Sequence, residues 1–279
     1  MGWLFGNTNK KEGENMRLGF IGAGNMAQAM IGGVLQSGLL PKEEIIASAA
    51  TQKTVDKVAA EWGIHTTLDN RQVAQADVHF LAVKPVYFPE VTKEIKDILR
   101  PEQLIVSIAA GRSIGWLEDA LGERKIIRTM PNTPALVGEG MTAVCPNSLV
   151  TEQELEEVCA ILGSFGGAEV VSESLMDAVI AVSGSSPAYV FLFIEAMADA
   201  AVAEGMPRQQ AYRFAAHSVL GSAKMVLEMD RHPGELKDMV CSPAGTTIEA
   251  VRSLEQSGFR GDVMACMKAC ADKSRDMSG

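Results

Sequence analysis

The chain has 279 residues, 47% hydrophobic and 22% charged, a globular balance with length enough for two domains and a large buried core. Acidic residues outnumber basic ones 35 to 25, so no basic footprint points to nucleic acid or to an anionic membrane as a partner. Five cysteines, an odd number with no secretory context, read as reduced thiols of a cytoplasmic protein.

Residues 1–15 (MGWLFGNTNKKEGEN) lack the apolar run and cleavage site of a signal peptide and are expected to be a mobile tail. No stretch reads as the ~18 consecutive apolar residues that a membrane span needs. From Met16 onward, short apolar runs alternate with amphipathic stretches. Strands are predicted at 17–21, 45–48, 78–83, 104–108 and 125–129, with helices at 25–37, 52–62, 91–99 and 114–121. A further strand at 142–145, a helix at 152–162 and a strand at 169–171 complete the pattern. This alternation predicts a parallel sheet with helices on both faces over residues 16–173.

Beyond Ser174 the strand rhythm stops, and helices are predicted at 187–204, 209–230, 248–256 and 260–275. Residues 174–279 therefore form an all-helical C-terminal domain. Its first helix (PAYVFLFIEAMADAAVAE) is apolar on nearly all sides, so a second subunit is expected to cover part of it. Aromatics are only 5% while Met numbers 15, which suits closely packed helices with Met filling irregular gaps. Cys266 and Cys270 lie one helical turn apart without a second pair or a His, and read as buried small hydrophobes with no metal site.

Gly22, Ala23, Gly24, Asn25, Met26 and Ala27 follow the first strand and open a helix, matching the G-x-G-x-x-[GA] dinucleotide pattern. Gly22 permits the tight turn, Gly24 lets a pyrophosphate approach the backbone, and Ala27 keeps helix and strand close. The end of the second strand discriminates between cofactors, because an acid there holds the ribose of NAD and repels a 2′-phosphate. Here stand Ser48, Ala49, Ala50 and Thr51, with Lys53 nearby, so NADP is favoured and NAD remains possible. Asn70 is assigned to the same cofactor set. Further strand ends line the crevice: Ala82, Val83, Lys84 and Pro85 at one, Ala109, Ala110 and Gly111 at another. Lys84 faces either a phosphate or water. The loop Arg128-Thr129-Met130-Pro131-Asn132-Thr133-Pro134 is made rigid by its prolines and serves as ligand contact or interdomain corner.

A second small-residue turn, Ser242-Pro243-Ala244-Gly245-Thr246-Thr247, precedes another helix. It reads either as an ordinary cap or as a cradle for a small anion at a helix N-terminus. His65, His79, His217 and His232 share no motif and read as surface or core residues.

The segments GFIGAGNMA, AVKP, SIAAG, RTMPNTP, SGSSPAY and SPAGTT, in this order and spacing, resemble the pyrroline-5-carboxylate reductase family over nearly everything from Met16 to Arg275. The resemblance implies an α/β fold, with an N-terminal Rossmann-type parallel sheet domain followed by an all-helical C-terminal dimerisation domain. It also implies NAD(P)H-dependent reduction of 1-pyrroline-5-carboxylate to L-proline, the last step of proline biosynthesis, by a homodimer or an assembly of dimers. The substrate carboxylate is then expected at Ser242, Ala244, Gly245 and Thr246. Thr247 is expected beside the imine nitrogen as hydrogen-bond partner or proton relay, and the active site between the domains. Three departures stand out, one being that the end of the second strand lacks the asparagine-arginine pair usual in bacterial members. Ala244 replaces a glycine usual in the family, which strains the turn if that position has positive φ, and Ser186 stands where glycine is common. Two rivals are a hydroxyacid dehydrogenase of related architecture and a nucleotide-sensing protein without activity. The first needs a general base, commonly a lysine on the first long helix, and residues 175–204 contain none.

Overall fold

The structure, a computed structural model, describes residues 18–278. The expected N-terminal tail, and Arg17 of the first strand, lie outside the described residues. Two compact units are formed: one runs to Gly184 and takes in the chain from Ala271, and the other is Ser185–Cys270.

The first unit is built on an eight-stranded sheet of order β3-β2-β1-β4-β5-β6-β7-β8. Its strands are β1 (Leu18–Ile21), β2 (Ile45–Ser48), β3 (His65–Thr67), β4 (Val78–Leu81), β5 (Leu104–Ser107), β6 (Lys125–Met130), β7 (Gly140–Pro146) and β8 (Gly166–Val170). Its helices are α1 (Asn25–Gln36), α2 (Gln52–Trp62), α3 (Asn70–Val73), α4 (Phe88–Ile95), α5 (Ile114–Leu121), α6 (Glu152–Gly163) and α7 (Met176–Val179). Strands β1, β2, β4 and β5 are buried along their whole length, because helices cover both faces of a parallel sheet. On one face Phe20 stacks on Phe80, ring centroids 5.2 Å apart, under Ala27, Met30, Ile31 and Val34 of α1. On the other, Ile21, Leu81 and Ile105 meet Phe88, Val91 and Ile95 of α4 and Leu117 and Leu121 of α5.

The sheet is not wholly parallel. β7 runs antiparallel to β6, and β8 pairs parallel with β7. The physical reason is the connection: residues 131–139 hold only the short 3-10 turn Thr133–Val137, too few for the crossover a parallel partner requires. The short β3 and α3 escape prediction because three or four residues carry no readable period.

The boundary between units also lies later than residue 173. Glu173 accepts hydrogen bonds from Arg128 Nη1 and the Ile114 amide, both at 2.8 Å, and Met176 packs with Ile114, Ala143 and Cys145. Ser274 Oγ donates to Asp177 Oδ1 at 2.6 Å, which ties the chain's last turns to the same unit.

The second unit holds α8 (Ser186–Ala203), α9 (Arg208–Glu228), α10 (Pro233–Val240), α11 (Thr246–Gln256) and most of α12 (Phe259–Ser278). Pro187 sits in the first turn of α8, where its missing N–H is harmless. His232 caps α10 by accepting the Gly234 amide on Nδ1 at 3.0 Å. Cys266, expected to be buried, is exposed. The helical stretch Glu173–Ala203 is long and apolar enough to cross a membrane by length and composition alone. It does not contain ~18 consecutive apolar residues, since Asp177, Ser183, Ser185, Ser186, Glu195 and Asp199 interrupt it.

Candidate functional site

The glycine-rich turn sits where β1 ends and α1 begins. Gly22 has φ +100°, and a Cβ there would lie 2.8 Å from both the Ala82 carbonyl oxygen and Val83 Cγ1. Only glycine fits that bend. Gly24, the N-cap of α1, is extended, has no atom within 4 Å of where a Cβ would stand, and offers no side-chain cap. The first turn of α1 also carries no acid. An uncapped helix N-terminus facing open space is what a dinucleotide pyrophosphate requires, so the residues fit that group. Ala23 and Ala27 are buried against the core, while Asn25 is exposed and Met26 partly so.

The neighbouring strand ends converge here. Gly22 donates its amide to Ser48 O at 3.2 Å, and Ala82 donates to Ile21 O at 2.8 Å, so the ends of β2 and β4 are bonded to the turn itself. Ser48 is fully buried and donates its hydroxyl to Asn70 Oδ1 at 2.7 Å. Ala49 follows, bonded to Thr67 O at 3.1 Å. Lys84 and Pro85 are exposed beyond β4, Lys84 as the N-cap of a 3-10 turn. At the end of β5, Ala109 is buried, Ala110 exposed, and Gly111 turns the chain at φ +72°.

Two residues that sequence reasoning passed over stand among them. Arg112 lies 4.5 Å over the Trp116 ring and reaches Pro85 O at 3.4 Å, placing a cation beside the Lys84 loop. Its position directly after SIAAG was the available signal. Glu94, from α4, accepts from Asn70 Nδ2 at 2.7 Å. No local pattern announces it, since it reaches the end of β2 only through the fold.

The rigid loop after β6 is anchored at both ends of one side chain. Asn132 Oδ1 accepts the Met141 amide at 2.8 Å, and Nδ2 donates to Ser183 O at 3.0 Å. Asn132 is buried, so within its unit it fixes the start of SGSSPAY against RTMPNTP. The Tyr189 hydroxyl in that segment is pushed up to about 12, first by its hydrogen bond with Cys270.

In the helical unit, Ser242, Pro243, Ala244 and Gly245 make a type II turn. Gly245 N donates to Ser242 O at 3.1 Å, Pro243 holds the second position, and Ala244 has φ +57° at the third. The family's glycine therefore had a conformational reason, and Ala244 carries the strain instead. Ser186 carries none: Asp230 and Ala244 are the non-glycine residues of positive φ among those described. Gly245 is the N-cap of α11, and a Cβ on it would collide with Ser242 Oγ. No side chain caps α11, so the ordinary Ser/Thr cap is not what this turn provides. Thr246 is exposed and Thr247 half-buried in the first helical turn.

A sheet of this order with a glycine turn at its switch point, followed by an all-helical unit, defines a Rossmann-type oxidoreductase that uses a nicotinamide dinucleotide. Two family models match in keeping with this: NADP oxidoreductase, coenzyme F420-dependent, over residues 17–111, and pyrroline-5-carboxylate reductase dimerisation over residues 173–277. The pyrroline-5-carboxylate reductase of Escherichia coli (strain K12) is 54% identical over 268 residues, covering 94% of this chain and 98% of that protein. Among solved structures, a pyrroline-5-carboxylate reductase from Coxiella burnetii superposes with a TM-score of 0.90 at 34% identity, over 95% of this chain and 99% of the other. The pyrroline carboxylate reductase of Plasmodium falciparum with NADP bound gives 0.85 at 35%, over 95% and 99%. This chain belongs to the pyrroline-5-carboxylate reductase family.

Proposed function

We propose that the chain reduces 1-pyrroline-5-carboxylate to L-proline as the last step of proline biosynthesis, with NADPH preferred and NADH accepted. The observation that carries the substrate assignment is the type II turn delivering an uncapped N-terminus of α11, with two threonines in its first turn. A carboxylate placed there meets free backbone donors and the positive end of the helix dipole. Ser242, Gly245 and Thr246 supply hydroxyl and amide donors, and Ala244 shapes the turn that presents them. Thr247 hydrogen-bonds the imine nitrogen or carries its proton.

The nicotinamide, when bound, supplies the hydride. What remains for this chain's residues is to bind, orient and exclude water, a task that calls for no His, Glu or Lys as general base. Gly22, Gly24 and the first turn of α1 hold the pyrophosphate. Ala82, Val83, Lys84, Pro85, Ala109, Ala110 and Gly111 line its path, and Ser48, Ala49 and Asn70 lie at the adenosine end. No acid follows β2 along the chain, and the carboxylate that the fold brings near it, Glu94, accepts the Asn70 side-chain amide; NADP is favoured on the first of these. The protein works as a homodimer or an assembly of dimers, and its free thiols and acidic balance support a cytoplasmic setting.

The test is dinucleotide oxidation with 1-pyrroline-5-carboxylate, NADPH and NADH in parallel. Turnover with neither would overturn the assignment. Thr247→Ala is expected to lower kcat on the order of 10²-fold with NADPH affinity unchanged, and an unaltered kcat removes Thr247 from the mechanism.

A further inference from the structure

The end of β2 lacks a carboxylate in sequence, yet the fold brings one there. Glu94 lies on α4, well beyond β2 in the chain. Its Oε2 accepts from Asn70 Nδ2 at 2.7 Å, while Asn70 Oδ1 accepts from Ser48 Oγ, also at 2.7 Å. Asn70 is the first residue of α3, and Asp69 caps that turn by accepting the Arg71 amide at 2.8 Å. Arg71 Nη1 in turn donates to the Glu94 carbonyl at 3.3 Å, so α3 and α4 are held together at this point by backbone as well as side chain.

The three side chains differ in what they permit. A serine hydroxyl donates or accepts, so Ser48 alone would tolerate the Asn70 amide in either orientation. A carboxylate only accepts. With Glu94 in place, the nitrogen of the amide must face it, because a flipped amide would set its oxygen against the carboxylate oxygens. The asymmetry therefore comes from Glu94. After both bonds are made, the Asn70 amide keeps one N–H and one oxygen lone pair, each in a set place.

We propose that Glu94 is a positioning residue of the dinucleotide site: it decides which edge of the Asn70 amide is offered to the adenosine end of the cofactor. This rests on the reading that Asn70 belongs to the cofactor set. Ser48, which anchors the other side of the amide, accepts the Gly22 amide on its carbonyl. The amide is thus tied to the glycine turn through one residue. A dinucleotide meeting a fixed amide loses no affinity to sorting its orientation, whereas a free amide presents the wrong edge part of the time.

The experiment measures dissociation constants for NADPH and NADH by fluorescence titration on wild type, Glu94→Ala and Glu94→Gln, with kcat and both KM values alongside. Glu94→Ala is expected to raise the dinucleotide Kd about two- to threefold, because an amide free to take either orientation offers the right edge about half the time, without a matching change in kcat or in the KM for the imine. Glu94→Gln falls between, since glutamine accepts as the carboxylate does but can also donate to a flipped amide. A purely structural role would move the melting temperature and all kinetic constants together and leave no such split. Wild-type dinucleotide affinity in folded Glu94→Ala overturns the proposal. Should that variant not fold, wild-type affinity in Glu94→Gln overturns it equally. Failure of the wild-type protein to bind either dinucleotide is a different result, and would take down the cofactor reading itself.

Discussion

Strand β1 and helix α8 are both rich in apolar residues, yet their fates differ. In β1, Leu18, Phe20 and Ile21 are wholly shielded by the chain's own helices. In α8, Pro187 and Ala198 are buried, while Phe191 and Leu192 stay 64% and 67% exposed. The second long helix behaves alike, with Phe214, Leu220 and Leu227 open and Ala211 and Ala215 covered. Hydrophobicity thus has two uses here. In the sheet unit it closes a core within one chain. In the helical unit it is held ready for a second copy, and the small residues do the packing inside. An exposed apolar area of this extent is characteristic of an obligate interface, in keeping with the dimerisation model that matches these residues.

One substitution in each region separates the two uses. Phe20→Ala should destabilise the sheet unit by about 3–5 kcal/mol, with the mass in solution unchanged from that of the wild type. Leu192→Glu should instead lower the mass in solution toward that of one chain, and remove the dependence of melting on protein concentration that an associated protein shows. A Leu192→Glu protein that remains fully associated would show that this face is not the interface.

A smaller effect lies inside the sealed core. His79 is fully buried on β4, and burial pushes its pKa down to about 4. Arg100 adds to the depression, and the Ala76 backbone opposes it. Because the unfolded chain takes up this proton near 6.5 and the folded chain only near 4, stability is full above pH 6.5. It falls as pH drops toward 4, by about 3 kcal/mol in all. Denaturant titrations across that window should show this slope, and His79→Leu should flatten it. Unchanged pH dependence in that variant would assign the slope to other groups.

The smallest effect lies at the turn Ser242–Gly245. An alanine in the left-handed region costs about 1–2 kcal/mol, offset in part by the greater unfolded-state freedom of glycine. Ala244→Gly should therefore raise stability by roughly 0.5–1 kcal/mol, seen as a rise in melting temperature of a few degrees or less. A lower melting temperature would mean that the methyl group makes contacts worth more than the strain.

Much of this was legible beforehand. The strands at β1, β2, β4, β5 and β6, the glycine-rich turn with its helix, and the division into a sheet part and a helical part follow from runs of apolar residues and from glycines at fixed offsets. The departure of Ala244 was visible too, though its backbone angle was not. Hidden were β3 and α3, too short to show a period, the helix α10, and the antiparallel turn of β7, which follows from the length of one connection.

By itself the amino-acid order determined which segments bury both faces, where the chain must bend with positive φ, and the family whose residues it shares. Only the tertiary structure decided that Ala244 bears strain, that α11 starts without a side-chain cap, and that Glu94 stands beside Asn70. The reason is one of range. Propensity, periodicity and turn chemistry act over a few residues and can be read along the chain. Contacts such as Glu94 with Asn70, Asn132 with Ser183, or Glu173 with Arg128 join residues 24, 51 and 45 positions apart, and exist only once the sheet has brought its strand ends together.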